Sequence, residues 1–280
     1  MKKLKIYYSP DADDAFMMYG MAVNAIDLHD FQIELDRDDI EALNQLAKVK
    51  RLDATATSVH AYAYLHENYN LLTTASSFAG ETYGPRLLSK KPIDLASEKN
   101  LKIAVPGEMT SANLAMKIFL AQNKLSHELI NMPFDKISPS VADGSMDAGV
   151  VIHEGQLTHN EFGLQISLDL GKWWWTENKL PLPLGIMVVN NSFPEVEQKQ
   201  IHQMIRDSIV YSLKHRTEGL KYAQSFSRGL SIETLDEYVN MYVNETTVDM
   251  GEKGRESIRL FLKQGKDLGI IKSNFNINFV

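Results

Sequence analysis

Cysteine is absent from the chain. That removes disulfide frameworks, thiolate catalysis, thiolate-bound zinc, iron–sulfur clusters and lipid attachment at an N-terminal Cys. Also missing is any run close to the roughly 20 apolar residues that cross a membrane. Positive charge is in deficit: 29 Lys and Arg stand against 36 Asp and Glu, a formal net charge of -7. Clustered cations that neutralise phosphates are the basis of nonspecific nucleic-acid and anionic-membrane binding, so neither is expected as a partner. No P-loop, GxGxxG fingerprint, nucleophile elbow or HExxH occurs, which excludes the common nucleotide, serine-hydrolase and zinc-protease readings. The start, Met1-Lys2-Lys3-Leu4-Lys5-Ile6-Tyr7, has basic residues with no apolar stretch behind them. It reads as no secretory signal, and the expected address is cytoplasmic.

What is present is an ordinary globular composition, 44% hydrophobic and 23% charged, enough for a full core. Leu4 to Tyr8 reads as a strand stopped by Ser9-Pro10, and a helix follows from about Ala15 to Ala25. Phe31 to Leu35 alternates like a strand, and Ile40, Leu43, Leu46 and Ala47 recur at helical spacing. Asp53 to Ser58 reads as a buried strand, with a helix after it through Tyr62, Ala63 and Leu65. The order βαβαβα predicts a mostly parallel sheet with helices packed on it. The middle repeats the pattern: a strand Leu101 to Val105, a helix from Thr110-Ser111, an apolar strand Met146 to Ile152, a strand Leu164 to Leu170 and another from Ile186 to Val189. From Pro194 onward the chain reads as helical. Two β-rich halves predict two lobes, 1–87 with 188–280 and 88–187, joined by extended crossings near Tyr83 to Leu88 and Leu184 to Val189. Ligands of open α/β sheets collect at the C-terminal ends of strands, so a cleft that closes by hinge motion is expected.

Several residues at such ends can carry chemistry. His153 follows the apolar strand, where an imidazole serves as general acid or base, or as a hydrogen-bonded structural group. Glu154 either orients that ring or caps the next turn. Thr110-Ser111 opens a helix, so its hydroxyls and N–H groups make either a carboxylate site or an ordinary N-cap. Thr57-Ser58 ends a strand on the other lobe and carries the same two readings. Ser9-Pro10-Asp11-Ala12-Asp13-Asp14 places carboxylates at a helix start, where they complement the macrodipole or bond substrate hydroxyls. Their spacing matches no complete metal loop, so no metal is assigned. Arg86 offers a partner for a substrate carboxylate, or forms a structural salt bridge. Trp173-Trp174-Trp175 reads as packing or as an aromatic wall for a planar ligand. His60, His127, His159, His202 and His215 lack metal-ligand spacing and are read as structural or exposed.

Ser9-Pro10 with Asp13-Asp14-Ala15-Phe16, Glu41-Ala42-Leu43-Asn44, Ala104-Val105-Pro106-Gly107 with Thr110-Ser111, Ile152-His153-Glu154 and Leu180-Pro181-Leu182-Pro183-Leu184-Gly185 occur in that order. Together they resemble the 1,4-dihydroxy-6-naphthoate synthase family of menaquinone biosynthesis, over nearly the whole chain. The resemblance implies a type 2 periplasmic-binding-protein-like fold, each lobe a mixed, mostly parallel sheet flanked by helices, without export. It implies a carbon–carbon lyase that acts on cyclic dehypoxanthine futalosine, releases a three-carbon fragment and needs no cofactor. The family's base falls on His153, and its substrate contacts fall on Ala56, Thr57, Ser58, Thr110 and Ser111. Ser9, Asp14 and Arg86 join these as substrate-binding candidates. Many members carry Lys-Leu-Ser where this chain has Ala56-Thr57-Ser58, which removes a cationic partner for a carboxylate. Many also carry Asn-Asp at Asp13-Asp14. Two other readings stay open: a binding protein for a small carboxylate, and the sister dehydratase that acts on chorismate. The expected partner is a small carboxylated substrate, with a homodimer left open as the assembly.

Overall fold

Alternation at the N-terminus buries Leu4, Ile6 and Tyr8 and leaves Lys3, Lys5 and Tyr7 outside that core, the period-two signature of a strand packed on one face. In a computed structural model, which describes residues 1–49, 52–153, 155–227 and 229–280, this segment is β1 (Lys2–Tyr8). It leads into α1 (Ala12–Ala22), β2 (Phe31–Arg37), α2 (Ile40–Val49), β3 (Ala54–Ser58) and α3 (Val59–Leu65). The short strands β4 (Tyr69–Leu71), β5 (Ser77–Ala79) and β6 (Arg86–Ser89) come next, followed by β7 (Lys102–Val105), α4 (Ser111–Gln122) and β8 (Glu128–Asn131). Then come α5 (Phe134–Asp143), β9 (Ala148–Val151), α6 (Gly155–Thr158), β10 (Gln165–Asp169), α7 (Leu170–Asn178) and β11 (Leu182–Asn190). The remainder is helical: α8 (Glu195–Lys214), α9 (Arg216–Gln224), α10 (Ile232–Tyr242), α11 (Glu245–Val248) and α12 (Gly251–Asp267).

The chain divides into two compact units, one of Met1–Ser77, Gly185–Glu256 and Asn274–Val280, the other of Phe78–Leu184 and Ser257–Ser273. The boundaries expected at 87/88 and 187/188 thus stand at 77/78 and 184/185. Ser257–Ser273 groups with the second unit because its side chains pack there: Phe261 meets Trp174 edge to face at 5.3 Å.

In the first unit the sheet order is β2-β1-β3-β11-β4. β1 lies parallel to β2 and β3, while β11 runs antiparallel to β3 and β4. The sheet is therefore parallel on one side and antiparallel on the other, because β11 returns from a distant part of the chain rather than through a crossover helix. α1 packs on α8 at Gly20, where an added Cβ would stand 2.9 Å from the Ser208 Cα. Ser208 Oγ donates to the Met17 carbonyl (2.7 Å) and accepts from the Met21 N–H (3.1 Å), which fixes the helix that carries Asp13 and Asp14. The C-terminal residues extend the β4 edge: Leu71 N–H donates to Asn278 O (2.8 Å) and Val280 N–H to Leu71 O (2.9 Å). Covering an edge in this way removes a template for intermolecular pairing.

The second unit repeats the mixture, in the order β10-β6-β9-β7-β8. β7 is parallel to β8 and β9, and β6 is antiparallel to β9 and β10. α5 lies on this sheet through Ile137 and Val141, which join Leu88, Ala104, Val151 and Leu164 in one buried cluster. Gly149 makes that contact feasible, since a Cβ there would lie 2.4 Å from Ile137 Cγ2. Trp174 is fully buried and Trp173 meets Phe119 edge to face at 5.3 Å. These two rings belong to helix packing, not to a wall for a ligand. Among the described residues no helix is long and apolar enough to cross a membrane.

Candidate functional site

β3 is buried along its whole length, and its last residues leave the sheet with polar side chains. In a strand, successive side chains alternate faces, so Thr57 points away from the face of Ala56 and Ser58. Thr57 Oγ1 is buried and has no hydrogen-bond partner among the described residues. Ser58 occupies the N-cap position of α3 but makes no side-chain capping bond. The capping alternative fails there because α2 supplies a stronger partner. Ser58 N–H donates to Asn44 Oδ1 (2.8 Å), and Asn44 Nδ2 donates to Ser58 Oγ (3.0 Å). Asn44 Nδ2 also reaches Glu41 Oε2 at 3.3 Å. Asn44 is fully buried and Ser58 is 3% exposed.

At the end of β1, Ser9, Asp11 and Asp13 are buried beside the start of α1. Ser9 N–H donates to Asp14 Oδ2 (2.9 Å), the Ser9 hydroxyl donates to the Asp11 carboxylate, and Asp11 N–H donates back to Ser9 Oγ (3.3 Å). The carboxylates thus close a turn around Ser9 and lie at the helix end where negative charge is favoured. Beneath them the Tyr8 hydroxyl has its pKa raised, first by burial and then by Tyr222 and the charge of Asp14. Its proton stays in place as a donor.

In the second unit the capping alternative holds for Thr110. Its Oγ1 accepts from Asn113 N–H (3.2 Å) and donates to Gly107 O (3.1 Å). Gly107 takes a φ of 125°, which only glycine adopts without strain. Asn113 Nδ2 braces the same turn through Gly107 O (2.8 Å) and Asn131 Oδ1 (3.1 Å). The Ser111 hydroxyl donates to Leu184 O at 2.6 Å. Thr110 thus caps a 12-residue helix, whose N-terminal end is the pole of the macrodipole that favours negative charge.

His153 lies just past β9 with a φ of 56°. Non-glycine residues in the left-handed region are uncommon, and they cluster where a fold has to aim a side chain. Its ring stands 4.9 Å from that of Phe134, nearly perpendicular at 77°, and its carbonyl accepts from Gln156 N–H (3.2 Å). Phe134 has no signal in the sequence, since it opens a helix that contains Pro139. Glu154, expected to orient this ring or cap the turn, lies outside the described residues. Arg86 is engaged structurally: Nη1 donates to Gln156 O (2.7 Å) and Nε lies 3.5 Å from Asp169 Oδ2.

Three other histidines have structural partners. His127 accepts from Leu101 N–H (3.3 Å) and faces Leu95 O (3.0 Å), His202 meets Thr73 Oγ1 at 3.0 Å, and His215 stacks on Tyr211. Among the described residues, no group of three His, Asp or Glu side chains is placed to hold a metal ion.

Comparison with known proteins adds to this geometry. A family model described as menaquinone biosynthesis matches residues 4–267. A Thermus thermophilus protein named 1,4-dihydroxy-6-naphtoate synthase is 32% identical over 93% of this chain and 93% of its own. A crystallised Archaeoglobus fulgidus protein superposes with a TM-score of 0.89 at 37% identity, over 96% of this chain and 98% of that one. A Candida albicans protein described as having the generic periplasmic binding protein fold is 14% identical, with a TM-score of 0.66 over 100% and 98% of the two chains. That last likeness gives the fold: the chain is periplasmic-binding-protein-like.

Proposed function

The chain belongs to the menaquinone-biosynthesis family, and from that premise we propose that it is a carbon–carbon lyase that converts cyclic dehypoxanthine futalosine to 1,4-dihydroxy-6-naphthoate. The observation that carries this reading is the likeness, over nearly full length, to a protein named for that product. The geometry at His153 agrees with it. What supports the base role is a half-buried imidazole just past a buried strand, on a left-handed backbone and against an aromatic edge.

In this reading His153 accepts a proton from the bound polyol or ring. The C–C bond breaks, the three-carbon fragment departs and the ring becomes aromatic, which supplies the driving force. The positive end of the α4 dipole, at Thr110-Ser111, stabilises the developing oxyanion. Ser111 has already given its hydroxyl proton to Leu184 O, so toward the substrate its oxygen accepts, as a substrate hydroxyl requires. Within the first unit, Ser58 with Ala56 on the same face, and Ser9 and Asp14 at the end of β1, are the candidate substrate contacts. Arg86 supports the turn of residues 153–156 through Gln156 O, with its remaining N–H groups directed to substrate oxygen.

Replacing His153 by Ala tests the assignment. Turnover of cyclic dehypoxanthine futalosine is expected to fall by roughly 10²–10⁴-fold, the usual contribution of a general base, with KM changed much less. Full turnover by the variant contradicts the role. Unaltered ligand recovered from the wild-type chain points instead to a binding protein of the same fold.

A further inference from the structure

The Glu41-Ala42-Leu43-Asn44 segment has no part in the chemistry above, yet Asn44 is a fully buried amide with every bond directed at two groups. Its orientation is fixed by chemistry. Ser58 N–H can only donate, so the atom facing it at 2.8 Å is the Asn44 carbonyl oxygen. The Glu41 carboxylate only accepts when ionised, so the atom facing it at 3.3 Å is Nδ2. The other N–H of Nδ2 therefore points at Ser58 Oγ, 3.0 Å away. A hydroxyl that receives a hydrogen bond on that side turns its own proton away from the donor. Ser58 is spared capping duty as well, because its side chain bonds no N–H of α3.

We propose that Asn44 is a positioning residue that turns the Ser58 hydroxyl proton outward as a hydrogen-bond donor, and that the group Ser58 serves is a carboxylate oxygen of the substrate. The inference rests on the lyase reading only for the identity of that substrate. The polarity at Ser58 follows from the clamp alone. It also distinguishes Ser58 from Ser111 of the second unit: Ser111 has spent its proton on Leu184 O, whereas Ser58 keeps its proton and gives it. Replacement of Asn44 by Asp places an acceptor where Nδ2 stood, draws the Ser58 proton inward and cancels the donor without removing the serine.

The test compares two probes under anaerobic conditions, 1,4-dihydroxy-6-naphthoate and 1,4-dihydroxynaphthalene, which lacks the carboxylate. Their binding is measured for the wild-type chain, Asn44→Asp, Ser58→Ala and the double variant, with circular dichroism on each. Loss of a hydrogen bond to a charged acceptor is expected to weaken the carboxylated probe about 10–100-fold in each single variant. The neutral probe changes by less than about threefold, and the double variant is no more than about threefold weaker than Ser58→Ala. Penalties that multiply, or that fall equally on the neutral probe, overturn the proposal. If Asn44→Asp does not fold, the discrimination between probes by Ser58→Ala decides. A wild-type chain that shows this pattern yet leaves cyclic dehypoxanthine futalosine intact sinks the lyase reading and keeps the clamp. A wild-type chain that binds neither probe refutes the carboxylate assignment.

Discussion

Thr57-Ser58 and Thr110-Ser111 are the same two residue types at the same place, the junction of a strand with the helix that follows, one in each unit. Folding spends them differently. In the second unit Thr110 is consumed by the helix it opens, accepting from Asn113 N–H and donating to Gly107 O. In the first, Ser58 caps nothing, because Asn44 from another helix takes over its N–H and orients its hydroxyl. A hydroxyl at a helix start is a site only when something else has met the local demand for hydrogen bonds. That condition depends on residues far away in sequence, and at Ser58 the decisive neighbour is 14 positions distant.

The largest effect that sharpens this contrast belongs to the packing beneath the second strand end. Gly149→Ala forces a Cβ to within 2.4 Å of Ile137 Cγ2, and overpacking of this kind costs about 1–3 kcal/mol. Urea unfolding should record that loss, with a matching drop in turnover because β9 carries His153. Unchanged stability would mean that α5 is not seated as described. Next is Thr110→Ala, which removes a working cap and is expected to destabilise the chain by about 0.5–2 kcal/mol, with Thr110→Ser recovering most of it. If the serine variant is as unstable as the alanine one, the cap is not the reason.

The smallest effect concerns pH and falls on the first unit. His202 has its pKa lowered, chiefly by burial, with Arg206 and Arg255 in the same direction and Asp249 opposing. A histidine harder to protonate folded than unfolded leaves stability untouched at high pH. It withdraws stability as pH falls below the ordinary value of 6.5 toward the folded one, because the unfolded chain binds the proton first. Thermal unfolding from pH 8 to 5 should therefore show a steeper decline in the wild-type chain than in His202→Gln. Parallel curves would remove His202 from the account.

The legible part of the fold was the part written in local pattern. β7 and β9 are apolar runs bounded by Pro-Gly or a charged residue, β1 alternates up to Ser-Pro, and β3 is a short run of small and β-branched residues after Asp53. The helices from Pro194 onward repeat at 3.6 residues. The strand β8 was missed because Glu128-Leu129-Ile130-Asn131 is short and half-polar, and α5 because Pro139 sits inside it. The antiparallel part of the mixed sheets is not legible in local pattern, because pairing by β6 and β11 joins segments remote in sequence. Among the candidate site residues, His153, Ser58 and Thr110-Ser111 are visible in the sequence as polar residues at or just past strand ends. Asn44 enters the sequence reading only as part of the resemblance and carries no role there, although a signal exists. It lies on the α2 face with Leu43 and Ala47, and all three are buried. A lone amide on such a face demands a partner.

Incubation of the wild-type chain with cyclic dehypoxanthine futalosine and, separately, with chorismate, followed by mass spectrometry of the products, tests the central claim most directly. The account predicts 1,4-dihydroxy-6-naphthoate and a three-carbon fragment from the first and no change in the second. Dehydration of chorismate, or quantitative return of both compounds, would contradict it.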